Sequence, residues 1–237
     1  MENVDLELLM ISNMPIVVDK LTIYPTPIKE IAKFGYTLYN QGLQILCLNQ
    51  SETQALIGKN ISSFEFLQMG MLLDANIKIL LNTLLSLIFK AKVEYLDSEQ
   101  SFIIGNNTLN KDNFLEVTNI IGKINCISES TSESNENPSN EKARQLLEKR
   151  RKLRNKIIKH QKNNLLQIPE LISVVAVSLK MPISQILEYN IYQLTDQFMR
   201  VISKEVYETN LNALLHGADN KDLDLKHWTQ KASKNTE

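Results

Sequence analysis

Glycine, cysteine and histidine are all scarce in this sequence of 237 residues, which has seven glycines, two cysteines and three histidines. Phosphate-binding loops need glycine at fixed positions, and neither G-x-G-x-x-G nor G-x-x-x-x-G-K-[S/T] occurs. The nucleophile pattern G-x-S-x-G is missing as well. We therefore expect a protein that is not an enzyme and that carries no cofactor.

The cysteines and histidines follow neither a metal-binding nor a disulfide pattern. Cys47 lies in an apolar run, Cys126 precedes a polar segment, and neither is near His160, His216 or His227. H-x-x-x-H and H-E-x-x-H spacings are absent. Two isolated cysteines are typical of reduced thiols in a cytosolic protein. We expect no metal site and a cytoplasmic location.

A strong net charge and a long uninterrupted apolar run are missing too. The 26 Lys and Arg residues nearly balance 27 Asp and Glu residues, for a net charge of −1. The whole molecule therefore has no strong preference for nucleic acid or a membrane surface. The most apolar stretch, from Met71 to Phe89, contains Asp74 and Lys78, and a charge near a bilayer centre costs about 2.5 kcal/mol or more. This stretch predicts a buried helix of a soluble protein.

The residues that are present, 43% of them hydrophobic, predict a mainly α protein of α+β type. We expect a helical bundle with small β-hairpins in the N-terminal half and a long amphipathic C-terminal helix. The β-branched runs at 15–18 and 21–24 predict a hairpin or a kinked strand pair, and the alternating or bunched apolar residues at 93–96 and 101–104 predict a second hairpin. The chain before the first hairpin has an extended character.

The N-terminal helices are predicted from their caps. Thr26 is expected to cap a helix with Pro27 in its first position and with Ile28, Ile31 and Ala32 facing inward. Gly35 would separate that helix from a second one over 36–48. Capping boxes at 51–54 and 62–65 predict two more starts, the second opening one helix that runs to about residue 90. A short helix over 111–121 would be capped by Asn110.

The sequence changes character after residue 127. The stretch 128–140 has no apolar residue and predicts a mobile linker between a mixed domain over 1–127 and a helical region over 141–237. Residues 141–162 predict a basic helix, in which Arg150, Arg151 and Arg154 are candidate contact residues. That helix holds ten of the 26 basic residues: Lys142, Arg144, Lys149, Arg150, Arg151, Lys152, Arg154, Lys156, Lys159 and Lys162.

The longest amphipathic pattern runs from Ser184 to Leu215. Ser184 is the expected N-cap, and Gly217 stands where a C′ glycine ends a helix. Through the first four turns, apolar residues at three- and four-residue spacing predict one stripe on one face of the helix. The apolar residues of the whole pattern are Leu187, Ile191, Leu194, Phe198, Val201, Ile202, Val206, Leu211, Leu214 and Leu215.

Trp228, the only tryptophan, follows this helix on a short terminal segment. If Gly217 reverses the chain, Trp228 returns along the helix, and burial of its indole contributes about 3 kcal/mol. The alternative leaves Trp228 exposed as an aromatic anchor for a partner.

Two patches of the sequence resemble one group of proteins. The first joins Ile23-Tyr24-Pro25-Thr26 to Ile28, Glu30-Ile31, Gly35 and Tyr39. The second joins Tyr192-Gln193-Leu194, Asp196-Gln197-Phe198 and Arg200 to Leu214, Gly217-Ala218 and Leu225-Lys226-His227-Trp228. Both patches resemble tail assembly chaperones and baseplate-hub assembly proteins of tailed bacteriophages.

The resemblance implies a non-enzymatic factor that holds tail proteins, a tape measure or a baseplate hub, in the host cytoplasm before they polymerise. The contact residues would be Tyr192, Phe198, Arg200 and Trp228, with Arg150, Arg151 and Arg154 as an electrostatic clamp. Self-association stays open as a further mode, and we expect no membrane contact.

Two alternatives remain open: a structural component of the virion tail or baseplate, and a nucleic-acid-binding regulator that uses the basic helix. Aromatic residues do not interleave with the charges of that helix, which argues against the regulator. DNA binding that weakens steeply with salt, and that is lost when the three arginines become alanine, would favour it.

The linker gives the first testable prediction. Limited proteolysis should cut first within residues 128–140, because a segment without apolar side chains cannot offset its ordering entropy by burial. Gel electrophoresis with mass determination of the fragments would locate the cut. Primary cleavage within 184–215 would contradict the prediction.

Overall fold

In the computed structural model, residues 3–48, 61–127, 167–217, 225 and 227–229 are described. The N-terminal part contains helices α1 (Asn3–Ile11), α2 (Ile28–Phe34), α3 (Tyr36–Leu46), α4 (Ser63–Leu73), α5 (Ala75–Phe89) and α6 (Phe114–Ile124). Strands β1 (Ile16–Val18), β2 (Leu21–Ile23), β3 (Val93–Leu96), β4 (Ser101–Ile104) and β5 (Asn107–Leu109) lie between them. The C-terminal part contains α7 (Ile168–Leu179), α8 (Ile183–Ile186) and α9 (Ile191–Leu215). The predicted linker, the basic helix and the capping box at 51–54 lie outside the described residues.

The mainly α fold with small antiparallel sheets is confirmed. One cluster of buried side chains includes residues from α1 to α6 together with Ile172, Val175, Ile186 and Leu194 of the C-terminal helices. The hydrophobic core therefore crosses residue 127, where composition changes. The division into domains stays a prediction about the sequence.

Both predicted hairpins form. Strands β1 and β2 pair antiparallel, with Val18 opposite Leu21, and the turn between them places Asp19 and Lys20 at φ angles of 42° and 66°. Positive φ at both turn residues matches the right-handed twist of paired strands. Strand β3 pairs with β4, and β4 pairs with an unpredicted third strand, β5. Gly105, at φ +58°, forms part of the short turn before β5.

The extended character expected before the first hairpin is wrong for residues 3–11, which form α1. Leu6 and Met10, four residues apart, are buried on the side of α1 that meets the core. The end of α1 is stabilised by residues far away in the sequence. The side-chain amides of Asn190 and Gln193, at the start of α9, donate to the carbonyls of Met10 and Ile11. The sequence near α1 does not indicate these partners.

The expected cap of α2 is also wrong. Pro27 is the N-cap residue, and α2 begins at Ile28. The N–H groups of Ile28 and Lys29 donate to the carbonyls of Tyr189 and Leu187, at N···O distances of 2.8 and 3.0 Å. A distant main-chain segment thus satisfies the donors for which Thr26 was expected.

The faces and ends of the next helices are partly as predicted. Ile28 and Ile31 of α2 are buried, whereas Ala32 is exposed, contrary to expectation. Gly35, at φ +96°, separates α2 from α3 as predicted. The predicted start of the short helix at 111 is wrong, because Asn113 is the N-cap of α6.

The helix predicted from Ser62 to about residue 90 is two helices. The capping box is confirmed, with Ser62 accepting from the Glu65 N–H and Glu65 accepting from the Ser62 N–H. Asp74 then interrupts the pattern, because its extended backbone ends α4 and its carboxylate caps α5 through the Asn76 N–H at 2.8 Å. Lys90 ends α5 in the left-handed conformation.

Cys47 is a half-buried free thiol. The Cys47 thiol donates to the carbonyl of Thr118 in α6, with 3.6 Å between sulfur and oxygen. Burial raises the pKa of Cys47 to about 12, which leaves little reactive thiolate at neutral pH. Cys126 is exposed.

The long C-terminal helix starts later than predicted. Ser184 is an exposed residue within the short helix α8, and Asn190 is the N-cap of α9. Asn190 and Gln193 form a reciprocal capping box, with N···O distances of 2.8 and 3.0 Å. The N-x-x-Q pattern in the sequence is the signal that could have located this start. Gly217, at φ +95°, follows the helix as predicted.

Asn190 provides a direct test of this correction. Its side chain is fully buried, and its amide donates to the carbonyl of Met10 and to Oδ1 of Asn13, both at 3.0 Å. We expect Asn190→Ala to lower the free energy of unfolding by about 2–3 kcal/mol, because a helix cap is lost and a buried carbonyl is left without its donor. Urea denaturation measures this change.

Ser184→Ala is the matched control, because Ser184 was the cap expected from the sequence. We expect its effect to stay within about 0.5 kcal/mol, as for other exposed positions. A large loss in Ser184→Ala together with a small loss in Asn190→Ala would contradict the observed start of α9.

Candidate protein-binding surface

Helix α9 begins in the core and then leaves it. Ile191 and Leu194 are buried, and Phe198 packs against the core from a half-buried position. Farther along, Met199 is 47% exposed, Val206 is 45% exposed and Leu215 is 74% exposed. The single stripe predicted for the first four turns therefore does not continue as a buried face into the second half of α9.

The apolar residues of that second half divide between two faces of the helix. Met199, Ile202 and Val206 follow one another at spacings of three and four, which places them on one side. We call these three residues the open face. Tyr207, Leu211 and Leu214, at spacings of four and three, lie on another side together with Arg200, which is seven residues before Tyr207. We call these four residues the strap face.

The chain after Gly217 returns to the strap face. We call Leu225 and residues 227–229 the terminal strap. The Arg200 guanidinium donates to the carbonyl of Trp228 at 3.3 Å. The His227 ring meets Tyr207 edge-on, with 4.9 Å between ring centroids, and stacks on Trp228 at 5.7 Å. The predicted return of Trp228 along the helix is confirmed.

Burial of the terminal strap is partial. Trp228 and Leu225 are half-buried, and His227 is exposed. Leu211 remains 37% exposed on the strap face. The contribution of Trp228 is therefore smaller than the value expected for a fully buried indole.

Of the residues predicted to contact a partner, Arg200 and Trp228 are brought together by the structure. Arg200 also lies 3.8 Å from the Asp196 carboxylate, one turn earlier on the helix. Tyr192 and Phe198 sit nearer the start of α9, where both pack against the core from half-buried positions. Burial raises the pKa of Tyr192, and the Glu7 and Asp196 carboxylates raise it further. Contact with a partner stays a prediction for all four residues.

The remaining predicted contact residues, Arg150, Arg151 and Arg154, lie outside the described residues. Met199, Val206, Leu211 and Leu215 were not predicted as contact residues. A signal that could have drawn attention to Leu211 and Leu215 is the five-residue step from Val206 to Leu211, where the apolar spacing stops following a single stripe.

A second apolar surface lies between α3 and α5. A groove of about 510 Å³ is lined by Leu38, Ile45, Ile77 and Leu80, with amide side chains at its rim. Leu72 and Leu73 at the end of α4 are also exposed. Leu72 and Leu73 belong to the apolar stretch over 71–89 that was predicted to form a buried helix, so that prediction is wrong at its N-terminal end.

Within the described parts of the chain, no group of three His, Cys, Asp or Glu side chains could hold a metal ion. The helices in those parts also lack the length and hydropathy that a membrane crossing needs.

Trp228 gives the prediction for this surface. We expect Trp228→Ala to lower the free energy of unfolding by about 1–2 kcal/mol, less than the cost of truncating a fully buried indole. Denaturant unfolding measures the change, and Trp228→Phe is the control that keeps a ring and should lose less. In the wild type, tryptophan emission should lie between the buried and the solvent-exposed limits. Unchanged stability with fully exposed emission would contradict the contacts of the terminal strap.

Comparison with known proteins gives one partial match. A family model described as the YomV second domain matches residues 159–233. The match includes α7, α8, α9 and the terminal strap, and it is shorter than half of the chain. No curated protein and no solved structure matches the chain. The matched region thus coincides with the helices that present the open face and the strap face, and the match fits a phage-associated protein.

Proposed function

We propose that the protein is a non-enzymatic bacteriophage assembly factor that binds tail proteins in the host cytoplasm before they polymerise. The client would be a tape-measure or baseplate-hub protein. The family match supports the association with a phage. The observation that carries the binding role is the open face of α9, where Met199 and Val206 are each close to half exposed.

The spacing of the open face suits a helical client. Residues three and four apart on one helix present side chains that an opposing helix can interleave with. The first half of α9 is anchored in the core by Ile191 and Leu194. A client helix would therefore meet a surface whose position is already fixed, which reduces the ordering cost of binding. Covering apolar residues of the client in this way would keep it from premature association.

Co-expression with the tape-measure or baseplate-hub protein of the same phage tests the proposal. We expect Val206→Glu to weaken client binding by about tenfold or more, because a charge would be buried against an apolar partner. Asn212→Glu is the matched control, since it puts the same charge at an exposed polar position of α9. Calorimetry on the purified complexes gives both affinities, and thermal unfolding checks that each variant folds. Equal affinities for Val206→Glu, Asn212→Glu and wild type would contradict a role of the open face.

Mass spectrometry of purified particles separates an assembly factor from a structural virion component. We expect the chain to be missing from mature particles while it co-purifies with unassembled tail proteins. A fixed number of copies per particle would instead favour the structural role.

A further inference from the structure

The terminal strap shows what the strap face of α9 can bind. It offers a main-chain carbonyl to the Arg200 guanidinium and an aromatic edge to Tyr207. Its stacked pair, His227 on Trp228, adds a broad ring surface. These contacts use a guanidinium and a phenol ring, groups that can accept another extended segment with the same chemistry.

We propose that the strap face is a peptide-docking surface, and that the terminal strap is its internal competitor. The external ligand would be a partner segment that carries an aromatic side chain next to an accessible main-chain carbonyl. The proposal extends the proposed function to a second face of α9 and names the chemistry of the partner.

The observed contacts favour displacement of the strap. The Arg200 to Trp228 hydrogen bond, at 3.3 Å, is longer than the usual range. His227 is exposed and Trp228 is only half-buried, so solvent reaches this contact. Contacts of this kind belong to the least stable part of a structure and open most readily.

The effective concentration of the tethered strap determines which external segments can compete with it for the strap face. A short tether holds the strap near its face at an effective concentration on the order of millimolar. A strap from a second copy, at micromolar concentration, would lose to it by roughly a thousandfold. A partner that also covers the neighbouring open face makes additional contacts, and these can raise its affinity enough to displace the terminal strap. The partner is therefore a different protein rather than a second copy.

A labelled synthetic peptide of residues 221–230, KDLDLKHWTQ, tests the proposal without any tail protein. Fluorescence anisotropy would measure the binding of this peptide to the full-length wild type and to full-length Trp228→Ala. Removing the internal indole weakens the competitor, so we expect the variant to bind the peptide at least about tenfold more tightly. The same peptide with alanine in place of tryptophan should bind neither chain.

Two double variants would locate the peptide-binding site on α9. In the Trp228→Ala chain, Leu211→Glu should abolish peptide binding, whereas Asn212→Glu should leave it unchanged. Circular dichroism confirms that both remain folded.

Equal peptide affinity for wild type and Trp228→Ala would overturn the proposal, and so would the absence of binding to Trp228→Ala. A third contrary result would be a wild-type dimer that forms with rising concentration and that the peptide dissociates. The last result would assign the strap face to a second copy of the chain. Because the test uses only the peptide, its failure leaves the proposed binding of tail proteins through the open face untouched.

Discussion

The buried side chain of Asn190 holds the two ends of the described fold together. Its carbonyl oxygen caps α9, and its amide binds the carbonyl of Met10 at the end of α1. Gln193 adds a bond to the Ile11 carbonyl at 2.8 Å. The segment before Asn190 supplies main-chain acceptors to the start of α2. Because buried polar groups must be paired, these bonds fix three helix termini in a single arrangement.

This arrangement determines where the open face and the strap face lie. With its start fixed in the core, α9 extends beyond the packed helices and exposes the open face and the strap face. The return of the chain after Gly217 covers part of the strap face. A helix tied down at one end and solvent-exposed along the other is suited to presenting apolar side chains to a partner, and the family match falls on this same region.

Local signals explain which elements could be predicted. The hairpins, the capping box at Ser62, the break at Gly35 and the end of α9 at Gly217 each depend on residues within a few positions of one another. Two of the failures occurred where the partner is distant in sequence. The end of α1 and the start of α2 both depend on contacts with residues at or near Asn190. The sequence around these two helices does not indicate those contacts. Of the candidate site, Arg200 and Trp228 were named from the sequence, but the open face was not.

By itself, the sequence determined the mainly α class, the two hairpins and several helix boundaries, such as those at Gly35, Ser62 and Gly217, because capping and turn chemistry act over short distances. Its apolar spacing also showed that α9 would be long. Only the tertiary structure decided which of those apolar residues are buried. Burial depends on what packs against a helix, and α9 runs past its neighbours after Phe198. Met199 and Val206, which lie on the same long helix as the buried Ile191 and Leu194, are therefore exposed in the folded protein.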